Sequence, residues 1–216
     1  AVLLHLGPGL GNGLANLHNA RRGRTPVVNI IGDHATYHAK YDAPLQSDIA
    51  AIASGVSTWI RSSTDPASVA QDAADAVAAA MGPPGQVATL ILPADVSWLE
   101  APGPVAPVAP TQRATVPAST IDEIAAVLRS GEPTALLMGG STMFEPGLVA
   151  GSRVSAASGA KLLAETFPAR LERGAGLPSV ERLGYLAEFA QAQMDGLAHL
   201  VLVDALSPVS FFAYPD

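Results

Sequence analysis

The sequence predicts an α/β protein of two open, mainly parallel sheets flanked by helices and joined by a Pro-rich linker. Three observations predict it. Apolar runs of strand length alternate with helical patterns in both halves of the 216 residues, the order that builds parallel sheets. Runs such as Val27–Ile31 and Val87–Leu92 are almost continuously apolar, as strands covered on both faces are. Between the halves, residues 99–117 read LEAPGPVAPVAPTQRATVP, an extended, semi-rigid composition without periodicity. The division is therefore 1–98, a linker 99–117, and 118–216.

Ala1–Leu6 is an apolar run closed by His5 and Leu6, followed by a turn crowded with Gly7, Pro8, Gly9, Gly11 and Gly13. Leu14, Leu17 and Arg21 then recur at helical spacing. Pro26 precedes the second strand, which Gly32 closes, and Asp33 to Lys40 form a polar loop. Gln46–Ala53 reads as a short helix and Val56–Ile60 as the third strand. Asp65 and Pro66 suit the N-cap and first position of a helix reaching Met81, stopped by Gly82-Pro83-Pro84-Gly85. In the second half, Ser119 caps a helix to Arg129. A strand Thr134–Met138, a Gly139-Gly140-Ser141 turn, a helix Pro146–Ala157, a strand Lys161–Ala164, a helix Ser179–Gln193 and a strand Leu200–Asp204 follow.

Hydrophobic residues make up 49% and charged residues 14%, so a packed core is expected rather than disorder. A net charge of −7 without a basic run argues against nucleic acid or an anionic membrane as partner. Without cysteine there are no disulfides or Cys-ligated metals. With no apolar stretch of about 18 residues and no charged segment before the first apolar run, a cytoplasmic protein is expected. The first strand begins at Ala1 with no lead-in, and such strands usually pair beside earlier neighbours. The expectation is a segment of a longer protein with an open sheet edge there.

The candidate chemistry gathers where strands end, because ligands of open α/β sheets bind at the carboxyl ends. His5 is either a hydrogen-bonded core residue or a proton-transfer group. Asp33, His34 and His38 are either a solvated loop or metal ligands. Asn12 and Gln46 are neutral amides near the same edge, or a turn residue and a cap. Gly139-Gly140-Ser141 is an anion-friendly turn or a simple connection, and Arg170, Glu172 and Arg173 read as a solvated charge cluster. No nucleotide fingerprint, Walker element or serine nucleophile elbow is present.

Gly7-Pro8-Gly9 with Asn12, then Thr25-Pro26-Val27-Val28 ending in Gly32, Gln46-Ser47-Asp48-Ile49, and Pro93-Ala94-Asp95-Val96 occur in an order with a known counterpart. Ala1 to about Trp98 resembles the second half of the pyrimidine-binding domain of thiamine-diphosphate enzymes, in the acetolactate synthase and benzoylformate decarboxylase family. The remainder resembles their central domain. The resemblance implies thiamine diphosphate with Mg2+, whose ligands would lie outside this segment, and leaves an FAD site in the second unit open. It implies a 2-oxo acid substrate and a second copy of the subunit as partners. His5 and Gln46 would be catalytic, and Gly7, Pro8, Gly9 and Asn12 would contact the cofactor. The family's activating glutamate would precede Ala1 and its Gly-Asp-Gly motif would follow Asp216, so the segment alone would be inactive. A histidine before Gly-Pro-Gly is similar to benzoylformate decarboxylase rather than the synthases, and Leu45 replaces the synthase Phe. The main expectation is a synthase-like decarboxylation and ligation. The alternatives are a benzoylformate decarboxylase-like enzyme and a non-catalytic α/β binding or regulatory module.

Overall fold

Strand and helix alternate into two separate sheets, one in each of two compact units, Ala1–Ala114 and Thr115–Asp216. The computed structural model describes residues 1–174 and 176–214. Residues 99–117 contain neither helix nor strand. No helix among the described residues is long and apolar enough to cross a membrane.

The first unit contains β1 (Val2–His5), α1 (Leu6–Arg22), β2 (Val27–Asp33), α2 (Ile49–Ser54), β3 (Trp59–Ser62), α3 (Val69–Met81), β4 (Val87–Pro93) and α4 (Ala94–Trp98). Its sheet is wholly parallel in the order β1-β2-β4-β3. Central β4 shows why the order works: its side chains alternate between two apolar layers, as a two-residue period requires. Val87 and Ile91 join Leu10, Leu17, Ile31, Ile49 and Ala53 under α1 and α2. Ala88 and Leu90 meet Ala76 and Ala80 of α3 on the other face. β1 is an outer strand whose residues alternate half-buried and exposed, with Leu3 73% exposed.

The glycine-rich stretch corrects the sequence reading. It is not a turn: α1 starts at Leu6, directly after β1. The chain reverses through one residue, buried Leu6, at φ +56°, a left-handed conformation costing about 1–2 kcal/mol for a non-glycine residue. Pro8 is tolerated because first-turn N–H groups have no partner within the helix. The glycines serve close approach instead. A Cβ on Gly13 would lie 2.8 Å from Leu4 Cδ1, so the missing side chain lets α1 lie against β1.

Other boundaries shift for local reasons. α2 opens at Ile49 because the Asp48 carboxylate accepts the Ala51 N–H at 2.9 Å, leaving Gln46 in the preceding loop. β3 starts at Trp59, while Val56 fills the core below it. Asp65 accepts the Ala67 N–H, but regular helix begins only at Val69.

Buried Asp72 on α3 accepts bonds from Arg61 Nη1 (2.9 Å), Ser63 Oγ (2.7 Å) and Ser68 Oγ (2.9 Å). Burial alone would raise its carboxyl pKa, yet these bonds together hold it below the ordinary range. A lowered folded-state pKa gives stability that is present above the unfolded value, about 3.9, and lost as pH falls through the folded value. Asp72→Asn should therefore cost about 1–3 kcal/mol at pH 7. Urea unfolding should show that deficit shrinking as pH falls below about 4; a constant deficit would contradict the assignment.

The second unit contains α5 (Ala118–Arg129), β5 (Thr134–Met138), α6 (Glu145–Ser158), β6 (Lys161–Ala164), β7 (Glu181–Arg182), α7 (Ala187–Met194) and β8 (His199–Val203). Its parallel sheet runs β7-β6-β5-β8. Leu136, Met138 and Leu148 lie in one apolar layer, and Leu137, Leu163 and Leu183 in another that Ala190 and Met194 of α7 cover. The expected helix 179–193 is instead a short strand, a turn and α7. Ser119 lies inside α5, whose N-cap is Pro117.

Candidate active site

Parallel strands deliver their carboxyl ends to one edge, and there the first unit gathers its chemistry. In register, His5 pairs with Gly32 and Asp33 with Pro93, so His5, His34 and Asp95 all follow neighbouring strand ends. His5 is exposed, which removes the core-residue reading. It occupies the N-cap position of α1 without making a side-chain cap bond, so its imidazole is not spent on capping.

The first turn of α1 touches two of the predicted residues' surroundings. A Cβ on Gly9 would sit 3.5 Å from His5 Cβ, and one on Gly7 would sit 2.1 Å from Ser47 Oγ. Gly7 thus gives the Gln46-Ser47 segment room to lie against the start of the helix. Pro8 and Asn12 are both exposed. At about 100° per residue, Asn12 points some 140° away from Gly7, so it and the Ser47 contact occupy different faces.

Residues 34–48 form the loop that covers this edge. Asp95, at the start of α4, accepts from Thr36 N at 2.9 Å and Thr36 Oγ1 at 2.5 Å, tying the loop to the end of β4. The Thr36 hydroxyl, then its N–H, hold the Asp95 carboxyl below its ordinary range. Asp33 accepts the His34 N–H at 2.7 Å. The His34 and His38 rings lie 5.5 Å apart and the His38 and Tyr41 rings 5.6 Å apart, with Lys40 Nζ 5.0 Å from the centre of Tyr41. Ring packing orders the two histidines. Among the described residues no group of three or more His, Cys, Asp or Glu converges on a metal position.

Two side-chain atoms of this loop are without a hydrogen-bond partner among the described residues although cut off from solvent, His34 Nε2 and Gln46 Oε1. Each such atom costs about 1–3 kcal/mol. Native proteins rarely keep orphans, and those they keep often mark function. This edge thus carries hydrogen-bonding capacity that the described residues leave unused, which fits a cofactor bearing hydrogen-bonding groups. By contrast, a hollow lined by Arg21, Arg24, Thr58, Pro83 and Gln86 lies at the opposite, amino-terminal edge.

Of the residues singled out in the sequence, Gly7 lies beside Ser47, the neighbour of Gln46, whereas Thr36 was legible only as part of a polar loop and His34 only as a possible metal ligand. Only Asp95 of the Thr36 pair carried a signal, within Pro93-Ala94-Asp95-Val96. The contact spans 59 residues, which no local pattern encodes.

Residues 1–54 match the family described as thiamine pyrophosphate enzyme, N-terminal TPP binding domain. The chain is thus similar in sequence over residues 1–54 to the thiamine pyrophosphate enzymes' N-terminal domain, and in fold to solved thiamine-diphosphate-dependent enzymes. One similar protein is a Mycobacterium tuberculosis protein named as an acetolactate synthase large subunit, IlvX. It is 60% identical over 215 residues, covering 100% of this chain and 41% of that protein. The chain thus spans about two fifths of that relative's length. Two solved structures share the fold. A thiamine diphosphate-dependent 4-hydroxybenzoylformate decarboxylase of Rhodococcus jostii is 19% identical with a TM-score of 0.82, covering 99% of this chain and 41% of that one. A Mycobacterium smegmatis enzyme described as thiamin diphosphate-dependent is 21% identical with a TM-score of 0.81, covering 98% and 43%.

Proposed function

We propose that this chain is part of a thiamine-diphosphate-dependent enzyme that decarboxylates a 2-oxo acid and ligates the product, as an acetolactate synthase does. The observation that carries the proposal is the 60% identity along 215 residues to a protein named as such a synthase. In this reading residues 1–98 belong to the pyrimidine-binding domain, 99–117 link, and 118–216 belong to the central domain.

Thiamine diphosphate, when bound, supplies an electron sink for decarboxylation, and the protein supplies orientation and proton handling. The chain's own part lies at the carboxyl edge of the first sheet. His5, exposed at the end of β1, gives or takes a proton at an imidazole nitrogen, the task to which histidine is suited near neutral pH. Gln46 Oε1 accepts a hydrogen bond from the cofactor or substrate, ending its isolation. Ser47, seated on Gly7, fixes the direction of Gln46. Mg2+ and the diphosphate are held by residues outside 1–216, and a second copy of the subunit completes the site.

A benzoylformate decarboxylase-like reaction is the second reading, favoured by the exposed His5. Product analysis separates the two. The protein expressed from its complete gene, given thiamine diphosphate, Mg2+ and pyruvate, should release CO2 and form acetolactate. Free aldehyde as the main product would establish the second reading, and absence of CO2 release from a range of 2-oxo acids would contradict both.

A further inference from the structure

We infer that the second unit holds no dinucleotide, because the backbone donors that a diphosphate would need are already filled by the unit's own carboxylates. The inference stands independently of the reaction proposed above. In a doubly wound unit a dinucleotide lies across the carboxyl ends of the central strands, its diphosphate on the N–H groups of the glycine turn and of the helix that follows. Here those places are the Gly139-Gly140-Ser141 turn after β5 and the start of α6.

Each is taken. Ser141 N and Ser141 Oγ both donate to Asp204 Oδ2 at 2.8 Å. Gly140 N donates to Glu165 Oε1 at 3.3 Å. At the helix, Glu145 N donates to Glu172 Oε2 at 2.6 Å, which also assigns Glu172 a structural task beyond a solvated cluster. Arg170 Nη2 lies 3.4 Å from the other oxygen of Glu172, steadying that carboxylate.

The glycines confirm that the space is occupied. A Cβ on Gly139 would lie 2.8 Å from Glu165 Oε1, and one on Gly140 would lie 2.5 Å from Asp204 Oδ2. In a dinucleotide site that space belongs to the diphosphate, and the glycine is there to admit it. Asp204 reaches over the turn from a left-handed conformation, φ +52°, which Asp adopts more readily than most residues. Asp204 follows β8, Glu165 follows β6 and the turn follows β5, so three adjacent strand ends converge on one internally satisfied knot. A diphosphate would have to displace these carboxylates and then sit beside them, like charge against like charge.

Phe167, Tyr185, Phe211 and Phe212 pack on one another, mostly edge to face, with ring centres 5.0–6.2 Å apart. The residues therefore do not fit FAD, the flavin for which the family resemblance left a site open in this unit.

The test uses the protein expressed from its complete gene, first saturated with thiamine diphosphate and Mg2+ so that the proposed cofactor site is filled, then titrated with FAD and with inorganic pyrophosphate by calorimetry. The wild type should carry no flavin absorbance as purified and show no saturable binding of either probe. Asp204→Asn with Glu165→Gln keeps the side-chain sizes and removes both charges. That variant should bind pyrophosphate at least about tenfold more tightly than the wild type, since nearby like charge is what repels it. Circular dichroism checks that the variant is folded, and Asp204→Asn alone serves if the double change unfolds the unit. Stoichiometric FAD in the wild type, or folded variants that bind pyrophosphate no better than it does, would overturn the inference.

Discussion

Gly7→Ala should disable the candidate site from beneath. The new Cβ would lie 2.1 Å from Ser47 Oγ and 2.3 Å from Ser47 Cβ. The second contact decides the outcome, because a Cβ cannot rotate away without moving its backbone. Ser47 must retreat and take neighbouring Gln46 with it. Overpacking of this kind typically costs about 1–3 kcal/mol, and a displacement of about 1 Å at a positioned group costs on the order of 10²-fold in rate. In the protein expressed from its complete gene, kcat/KM on a 2-oxo acid should fall on that scale. Pairing the change with Ser47→Gly should restore much of both losses. Independent, additive effects of the two substitutions would show that the Gly7–Ser47 contact does not position Gln46.

His5→Ala should have an effect of similar size on rate with almost none on stability. Removing a positioned acid–base group typically costs about 10²-fold or more in kcat, and exposed side chains away from special contacts usually contribute within about 0.5 kcal/mol. Under the proposed function cofactor affinity should change little, since the diphosphate would be held by residues outside this chain. Steady-state kinetics with urea unfolding separates the possibilities. A normal kcat would remove His5 from the chemistry, whatever the stability.

Much of this fold was legible because buried parallel strands announce themselves. Thr134–Met138 and Lys161–Ala164 were predicted residue for residue, and Val87–Pro93 to within one residue, since each is an apolar run bounded by breakers. The opening stretch misled because glycine and proline ordinarily mark turns. Here Pro8 falls in the first helical turn, and the glycines answer to Ser47 and Leu4, residues on other elements. Tertiary contact overrode local propensity. The same limit governs the sites. His5 and Gln46 were visible as residue types near a strand end or a short motif. The Thr36–Asp95 tie, and the carboxylates that close the Gly139 turn, depend on contacts far apart in sequence.

Under the proposed function, the carboxyl edge of the first sheet receives the pyrimidine side of thiamine diphosphate or the substrate bound beside it. A crystal structure of the protein expressed from its complete gene, with thiamine diphosphate and Mg2+, tests it most directly. Cofactor or substrate density should lie at the edge formed by His5, Gly7 and residues 34–48, with Gln46 Oε1 hydrogen-bonded. Cofactor bound elsewhere, with Gln46 Oε1 and His34 Nε2 still without partners, would contradict it.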